Sequence, residues 1–107
     1  MLPQGKIEKI KKSFPEHADL LPGVFNALSD PGRFRIFRVL RQHQDICVTD
    51  VAHILNISVP AASQQLKILE THRLIRRERQ GQRACYAIDA DNAVVKALEK
   101  FLAQAEK

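Results

Sequence analysis

Between residues 48 and 71, apolar residues recur at the spacing of two short helices, with a turn signal between them. Thr49 is a residue type that caps helix N-termini, and the apolar positions after it form one helical face. Asn56 suits the left-handed conformation that often ends a helix, and Ser58 is a second candidate cap. Pro60 is tolerated in a first helical turn, where its missing N–H has no partner. Two helices joined by so short a turn are typical of a helix-turn-helix.

The second of these helices has one apolar face and one polar face. Its inward stripe consists of Ala62, Leu66 and Leu69. The opposite face contains Pro60, Ser63, Gln64 and Lys67, and the first acidic residue of this helix is Glu70. A small, polar and basic face suits a helix that enters a DNA groove, whereas an ordinary surface helix usually mixes Glu with Lys. The pattern therefore favours DNA recognition over a plain helical hairpin.

The rest of the chain predicts four further helices and three strands. Helices are expected at residues 1–14, 18–28, 31–42 and 92–106, the last capped by residues 89–91, and strands at 46–48, 74–79 and 83–88. Asp30 and Pro31 suit the cap and the first residue of a helix. The last two strands flank Gly81 and form a β-hairpin. The predicted fold class is α+β, mainly α: a winged helix-turn-helix with a small β-hairpin wing.

The helices at 18–28 and 92–106 have wide apolar faces. The faces consist of Leu20, Leu21, Val24, Phe25 and Leu28 in the first helix and of Val94, Leu98, Phe101 and Ala105, widened by Val95 and Leu102, in the second. Because a chain of 107 residues buries only a modest core, we expect these N- and C-terminal helices to form a homodimer interface. The alternative is that both faces are used up in the monomer core.

The chain length predicts one DNA-binding domain, residues 16–107, preceded by a basic extension, residues 1–15. Lysines 6, 9, 11 and 12 make this extension either a DNA-touching arm or a solvated appendage. The sequence has no apolar stretch long enough to span a membrane and no signal-peptide pattern. Its two cysteines do not form a secreted disulfide framework. We therefore expect a cytoplasmic protein with no membrane partner.

The net charge of +5 and the isoelectric point near 9.6 favour a polyanionic partner. Residues 67–83 alone contain six basic and two acidic residues. A basic hairpin beside a recognition helix suits phosphate and minor-groove contacts, and a glutamine amide pairs with adenine through two hydrogen bonds. The residues assigned to double-stranded DNA are Ser58, Pro60, Ser63, Gln64, Gln65, Lys67, Arg77, Arg79, Gln80, Gln82 and Arg83.

Other classes of function have less support in the sequence. An enzyme would need a nucleophile and base, a metal triad, paired acids or a glycine-rich phosphate loop, and the sequence contains none of them, so we expect no catalytic residues. A winged helix that binds protein would present an apolar or acidic face in place of the polar and basic one.

Four ordered segments resemble the ArsR/SmtB transcriptional repressors. They are ALSDPGRFRI at residues 27–36, ICVTDV at 46–51, SVPAASQQLKIL at 58–69 and GQRACY at 81–86. The resemblance extends over residues 20–107 and implies a homodimeric winged helix-turn-helix repressor that binds a palindromic operator and is released by an effector. The family usually has Arg-His where this chain has Gln64 and Gln65, which implies a different operator preference.

The sensor residues of the family are only partly matched. The arsenic- and cadmium-sensing branch has a Cys-Val-Cys pair, but here Thr49 stands at the second position; the zinc-sensing branch has a histidine on the last helix, and none occurs there. The sequence therefore predicts no standard metal site and no cofactor, and a non-standard metal site remains an alternative. Cys47 and Cys85 are expected on neighbouring strands, either as a thiol switch or as two small buried apolar residues. The sequence does not identify the effector.

Overall fold

The computed structural model describes residues 1–14 and 19–106, which contain six helices and three strands. The helices are α1 (Gln4–Ser13), α2 (Leu21–Ser29), α3 (Pro31–Gln42), α4 (Val48–Leu55), α5 (Val59–Thr71) and α6 (Ala93–Ala105). The strands are β1 (Ile46–Cys47), β2 (Ile75–Gln80) and β3 (Arg83–Ile88). Within the described residues, no helix is both long and apolar enough to cross a membrane.

The strands form one antiparallel sheet in the order β1-β3-β2. Strands β2 and β3 are joined by Gly81 and Gln82, and Gly81 has a φ of 63°, which only glycine adopts at little cost. Strand β1 pairs with the other edge of β3, so that Cys47 lies opposite Cys85. The α+β, mainly helical winged fold and the position of the wing are thus confirmed.

The core lies where α3, α5 and the sheet meet. Its fully buried side chains include Ile36 and Phe37 of α3, Leu66 and Leu69 of α5, Leu74 and Ile75 at the start of β2, and Val95 of α6. Ala62, Leu66 and Leu69 are all buried, which confirms the inward stripe of the recognition helix. Burial of this stripe fixes which face of α5 is left for a partner.

The starts of α4 and α6 differ from the prediction. Helix α4 begins at Val48, so Thr49 lies inside the helix and Cys47 is the N-cap. The Asp50 carboxylate accepts a hydrogen bond of 2.8 Å from the Cys47 backbone N–H, which completes a capping box. Helix α6 begins at Ala93, because Asn92 rather than residues 89–91 caps it by accepting a bond of 2.9 Å from the Val94 N–H.

The start of α2 and the strand ends are also corrected. Helix α2 begins at Leu21, three residues after the predicted start, and Ala18 lies outside the described residues. Asp19 accepts a hydrogen bond of 3.0 Å from the Leu21 N–H, which satisfies a donor in the first turn. Strand β1 ends at Cys47, and β2 continues to Gln80, so the wing turn has two residues.

The apolar face of α6 is divided between the core and the surface. On α6, Val95 and Leu102 are buried and Val94 and Leu98 are half-buried, whereas Phe101 is 66% exposed. Helix α1 is exposed along its length except for half-buried Ile7. The predicted apolar face of α6 is therefore shared between the core and the surface of the monomer.

Candidate nucleic-acid interface

The helix-turn-helix turn is defined by backbone geometry. Asn56 is left-handed, with a φ of 54°, and the Ile57 N–H donates to the Ala52 carbonyl at 2.9 Å. The Ser58 hydroxyl then accepts a hydrogen bond of 3.1 Å from the Ala61 N–H and caps α5. Since Pro60 lacks an N–H, little competes for this cap. Both predicted turn residues, Asn56 and Ser58, occupy the expected conformations.

The outward face of α5 is formed by Pro60, Ser63, Gln64 and Lys67, all of which are exposed. Val59, the first residue of the helix, is 44% exposed and adds an apolar group to this face. We name these five residues the α5 face. Sequence reasoning missed Val59, although its position directly before Pro60 and outside the inward stripe was a usable signal.

Gln65 differs from the other predicted contacts because it is half-buried. Its Oε1 accepts a hydrogen bond of 3.1 Å from the Arg33 guanidinium, and its Nε2 lies 3.5 Å from an Asp30 carboxylate oxygen. Both ends of the amide thus have protein partners. The assignment of Gln65 to a base stays a prediction, and this geometry disfavours it.

The wing presents basic side chains beside the α5 face. Arg77, Arg79 and Gln82 are exposed, whereas the Gln80 amide donates to Asp45 at 2.9 Å. The Arg83 guanidinium lies 3.6 Å from the Asp50 carboxylate in an exposed ion pair, which screening by water makes weak. All five predicted wing residues are therefore at the surface, and two of them have partners near β1 and α4.

Cys47 and Cys85 are joined by a disulfide in the structure. Each cysteine is only 1% exposed, and the two lie opposite one another on β1 and β3. The disulfide therefore links Cys47, directly before α4, to Cys85 in the wing strand β3. Burial raises the pKa of the neighbouring Tyr86 hydroxyl, and the nearby Arg77 partly offsets this effect, so that Tyr86 is neutral at pH 7.

An apolar groove lies between α2 and α6. It is lined by Leu21, Phe25, Ala93, Val94, Ala97, Leu98 and Phe101. Phe25 and Phe101 are 63% and 66% exposed. We call this surface the α2–α6 groove; large apolar side chains left uncovered at this density are typical of a protein interface.

Among the residues that the structure describes, no three histidine, cysteine, aspartate or glutamate side chains gather closely enough to hold a metal ion. Asp50 and His53 both lie on α4, without a third ligand of these types in the described part of the chain.

A polar recognition helix, a basic wing and a three-stranded sheet define a winged helix-turn-helix DNA-binding protein. Residues 30–77 match the family described as bacterial regulatory protein, arsR family. The chain is 35% identical to the transcriptional repressor SmtB homolog of Synechocystis sp. over 98 residues, which cover 87% of this chain and 73% of the relative. The chain belongs to the ArsR family.

Two further comparisons agree with this assignment. The cadmium resistance transcriptional regulatory protein CadC homolog of Staphylococcus aureus is 33% identical over 105 residues, which cover 96% of this chain and 86% of that protein. A homodimeric winged helix-turn-helix DNA-binding domain from Mycobacterium bovis has a TM-score of 0.67 at 24% identity, covering 85% of this chain and 91% of that one, and shows the fold alone. Family membership makes the chain a DNA-binding transcriptional repressor, and members of the family are generally not enzymes.

Proposed function

We propose that the protein represses transcription as a homodimer on a palindromic operator, and that oxidation of Cys47 and Cys85 to the disulfide releases it. The observation that supports operator binding best is the α5 face, which is exposed, polar and basic and lies beside the basic wing. The observation that supports the redox step is the register that places the two cysteines opposite one another.

The side chains of the α5 face suit either base edges in the major groove or phosphates of the DNA backbone. The Gln64 amide is free to form two hydrogen bonds with adenine, and Val59 offers a methyl surface for the C5-methyl group of thymine. Ser63 and Lys67 suit phosphate contacts. Together with Ser58 and Pro60 they define a half-site that contains A·T pairs. The expected preference for A·T pairs follows from Gln64 and Val59, because an amide suits adenine and a methyl surface suits thymine.

The wing supplies the sequence-independent part of the affinity. Arg77 and Arg79 project from β2 without a described ion-pair partner, and Gln82 lies at the turn. Each arginine that neutralises a phosphate releases a counterion and makes the affinity more dependent on salt. Arg83 joins this set if it exchanges the exposed Asp50 carboxylate for a phosphate.

The α2–α6 groove is the proposed dimer interface. Its apolar lining matches the interior of an interface core, and the M. bovis domain of the same fold is described as homodimeric. A two-fold axis through the groove would present two copies of α5 to half-sites about 34–36 Å apart, one turn of the double helix. Residues 16–107 would form this unit, with residues 1–15 as an appended basic extension.

The redox step converts two thiols into one disulfide. The two cysteines lose two electrons and two protons to a two-electron oxidant such as a peroxide, which is reduced to an alcohol and water. The new bond joins β1 to β3 directly before α4, so it restrains the wing relative to the helix-turn-helix. This restraint is how oxidation would alter the fit to DNA.

The test compares operator affinity in the two redox states. DNA fragments are selected from the protein's own genome with reduced protein, and fluorescence anisotropy then measures binding by reduced and peroxide-treated samples. We expect reduced protein to bind at least about tenfold more tightly, a difference near 1.4 kcal/mol, and Cys85→Ser to bind equally under both conditions. Equal binding by wild-type protein, with mass spectrometry confirming the loss of two hydrogens, would contradict the switch and leave operator binding standing.

A further inference from the structure

The Arg33 side chain connects the last turn of α2 to the recognition helix. Its Nε donates to the Ala27 carbonyl at 2.7 Å, one terminal nitrogen donates to the Asn26 carbonyl at 3.3 Å, and the other donates to Gln65 Oε1 at 3.1 Å. Residues 26 and 27 belong to α2, and Gln65 lies near the middle of α5. One guanidinium therefore bonds two helices that are not adjacent in sequence.

Asp30 supports the same contact from the other side. Its carboxylate caps α3 by accepting a hydrogen bond of 2.9 Å from the Arg33 N–H and lies 3.5 Å from the Gln65 Nε2. A Cβ atom placed on Gly32 would lie 3.2 Å from that carboxylate, so a larger residue would crowd the contact. The amide of Gln65 is therefore held at both ends by the junction of α2 and α3.

This arrangement gives two neighbouring glutamines different tasks. Gln64 is exposed on the α5 face, whereas the hydrogen-bonding groups of Gln65 are occupied inside the protein. Since α2 also lines the α2–α6 groove through Leu21 and Phe25, a shift of α2 is passed through Arg33 to α5. The groove helix and the recognition helix are thus connected through Arg33 of α3, whose guanidinium forms charge-assisted hydrogen bonds with both.

We propose that Arg33 and Gln65 are positioning residues that set the orientation of the recognition helix against α2, and that Gln65 contacts no base. This inference rests on the operator binding proposed above. Loss of either member frees α5 to adopt orientations that fit DNA less well, and the penalty is the same for every operator sequence. A base contact would instead impose a penalty at one position only.

The test is a double-mutant cycle measured by operator affinity. Gln65→Ala, Arg33→Gln and the double variant are compared on the selected operator and on a panel of its single-base substitutions, with Gln64→Ala as the matched control. We expect Gln65→Ala to weaken binding to every sequence in the panel by the same factor, about tenfold or more, as for loss of a hydrogen bond to a charged group. The double variant should be no weaker than Arg33→Gln, because both changes remove the same bond.

Three outcomes decide the proposal. Selective loss of discrimination at one base position in Gln65→Ala would show that Gln65 reads DNA and would overturn it, as would losses that simply multiply in the double variant. Should Arg33→Gln fail to fold, Arg33→Lys, which keeps the charge but not the forked geometry, replaces it in the cycle, and the base panel with Gln65→Ala is unaffected. If wild-type protein selects no operator at all, the proposed function falls and this inference falls with it.

Discussion

On α5, exposure separates the residues proposed to contact DNA from those packed against the rest of the protein. Gln64 is exposed and free, while Gln65, one position along, is half-buried and bound to Arg33. The sequence assigned Gln65 to DNA together with Gln64, but it could not show that an arginine 32 positions earlier in the chain would take its amide. Contacts of this kind depend on tertiary packing and so lie beyond the sequence pattern.

Gln64→Ala tests base recognition by a single side chain. We expect this variant to lose discrimination at one position in each half-site by about 1–3 kcal/mol, because the alanine cannot pair with adenine. Stability should change little, since the side chain is exposed. Affinities for single-base operator variants measure the effect; unchanged discrimination at every position would remove Gln64 from the recognition surface.

Arg83→Ala tests the wing. If Arg83 leaves Asp50 for a phosphate, the variant should bind all sequences more weakly, and the slope of log affinity against log salt should become shallower by about 0.9. Arg76→Ala is the matched control, because Arg76 lies on the wing but is already paired with Glu78 and Asp91. An unchanged salt slope for Arg83→Ala would confine Arg83 to its intramolecular ion pair.

At the scale of elements, periodicity and capping signals predicted each helix and strand, but not every terminus. The start of α4 differs because the Cys47 backbone N–H bonds to Asp50, which makes Cys47 the cap in place of Thr49. Its position is also fixed by pairing with Cys85, 38 residues further along the chain. A local pattern carries no information on such a pairing.

The end of α6 is attached to α3 by an ion-pair network that the sequence did not reveal. The Glu106 carboxylate accepts hydrogen bonds from Arg38 at 2.5 Å and from Arg41 at 2.6 Å. The Arg38 hydrogen bond is the main reason that the pKa of Glu106 is lowered, and burial opposes it in part. The network therefore fixes the helix that lines the α2–α6 groove.

The pH dependence of Glu106→Gln tests this attachment. Because the pKa of Glu106 is lower in the folded than in the unfolded state, the ion pairs stabilise the fold above the ordinary glutamate pKa, and this contribution is lost as the pH falls through the folded-state pKa. We expect the variant to be less stable than wild type at pH 7 and the difference to shrink below about pH 4. Urea unfolding across pH, with Glu99→Gln as control, measures it; a difference that does not vary with pH would contradict the ion-pair account.

At the scale of the whole molecule, the basic surface proposed to contact DNA and the apolar groove lie on different elements. The charge of +5 and the wide apolar faces already indicated both in the sequence. The structure adds that Val95 and Leu102 are consumed in the core, while Phe25 and Phe101 are left at the surface. The expected stripe was thus divided between core and surface, because α6 meets its own domain through only one of its apolar edges.

Phe101→Asp tests the groove as a dimer interface. Its side chain is 66% exposed in the monomer, so a carboxylate there costs little folding stability but must be desolvated in a dimer. We expect dimerisation to weaken by about 2 kcal/mol or more and operator affinity to fall with it. Sedimentation velocity measures the first effect, and Ala103→Asp, on a different face of α6, is the matched control. A Phe101→Asp protein that stays dimeric would place the interface elsewhere.

Selection of fragments from the protein's own genome tests the central claim most directly. Reduced wild-type protein is compared with a Gln64→Glu, Lys67→Glu variant, which places two acids on the exposed α5 face. We predict that the wild type enriches one palindromic sequence with half-sites about one helical turn apart and that the variant enriches none. Recovery of unselected fragments by the wild type, or of the same palindrome by the variant, would contradict sequence-specific binding through α5.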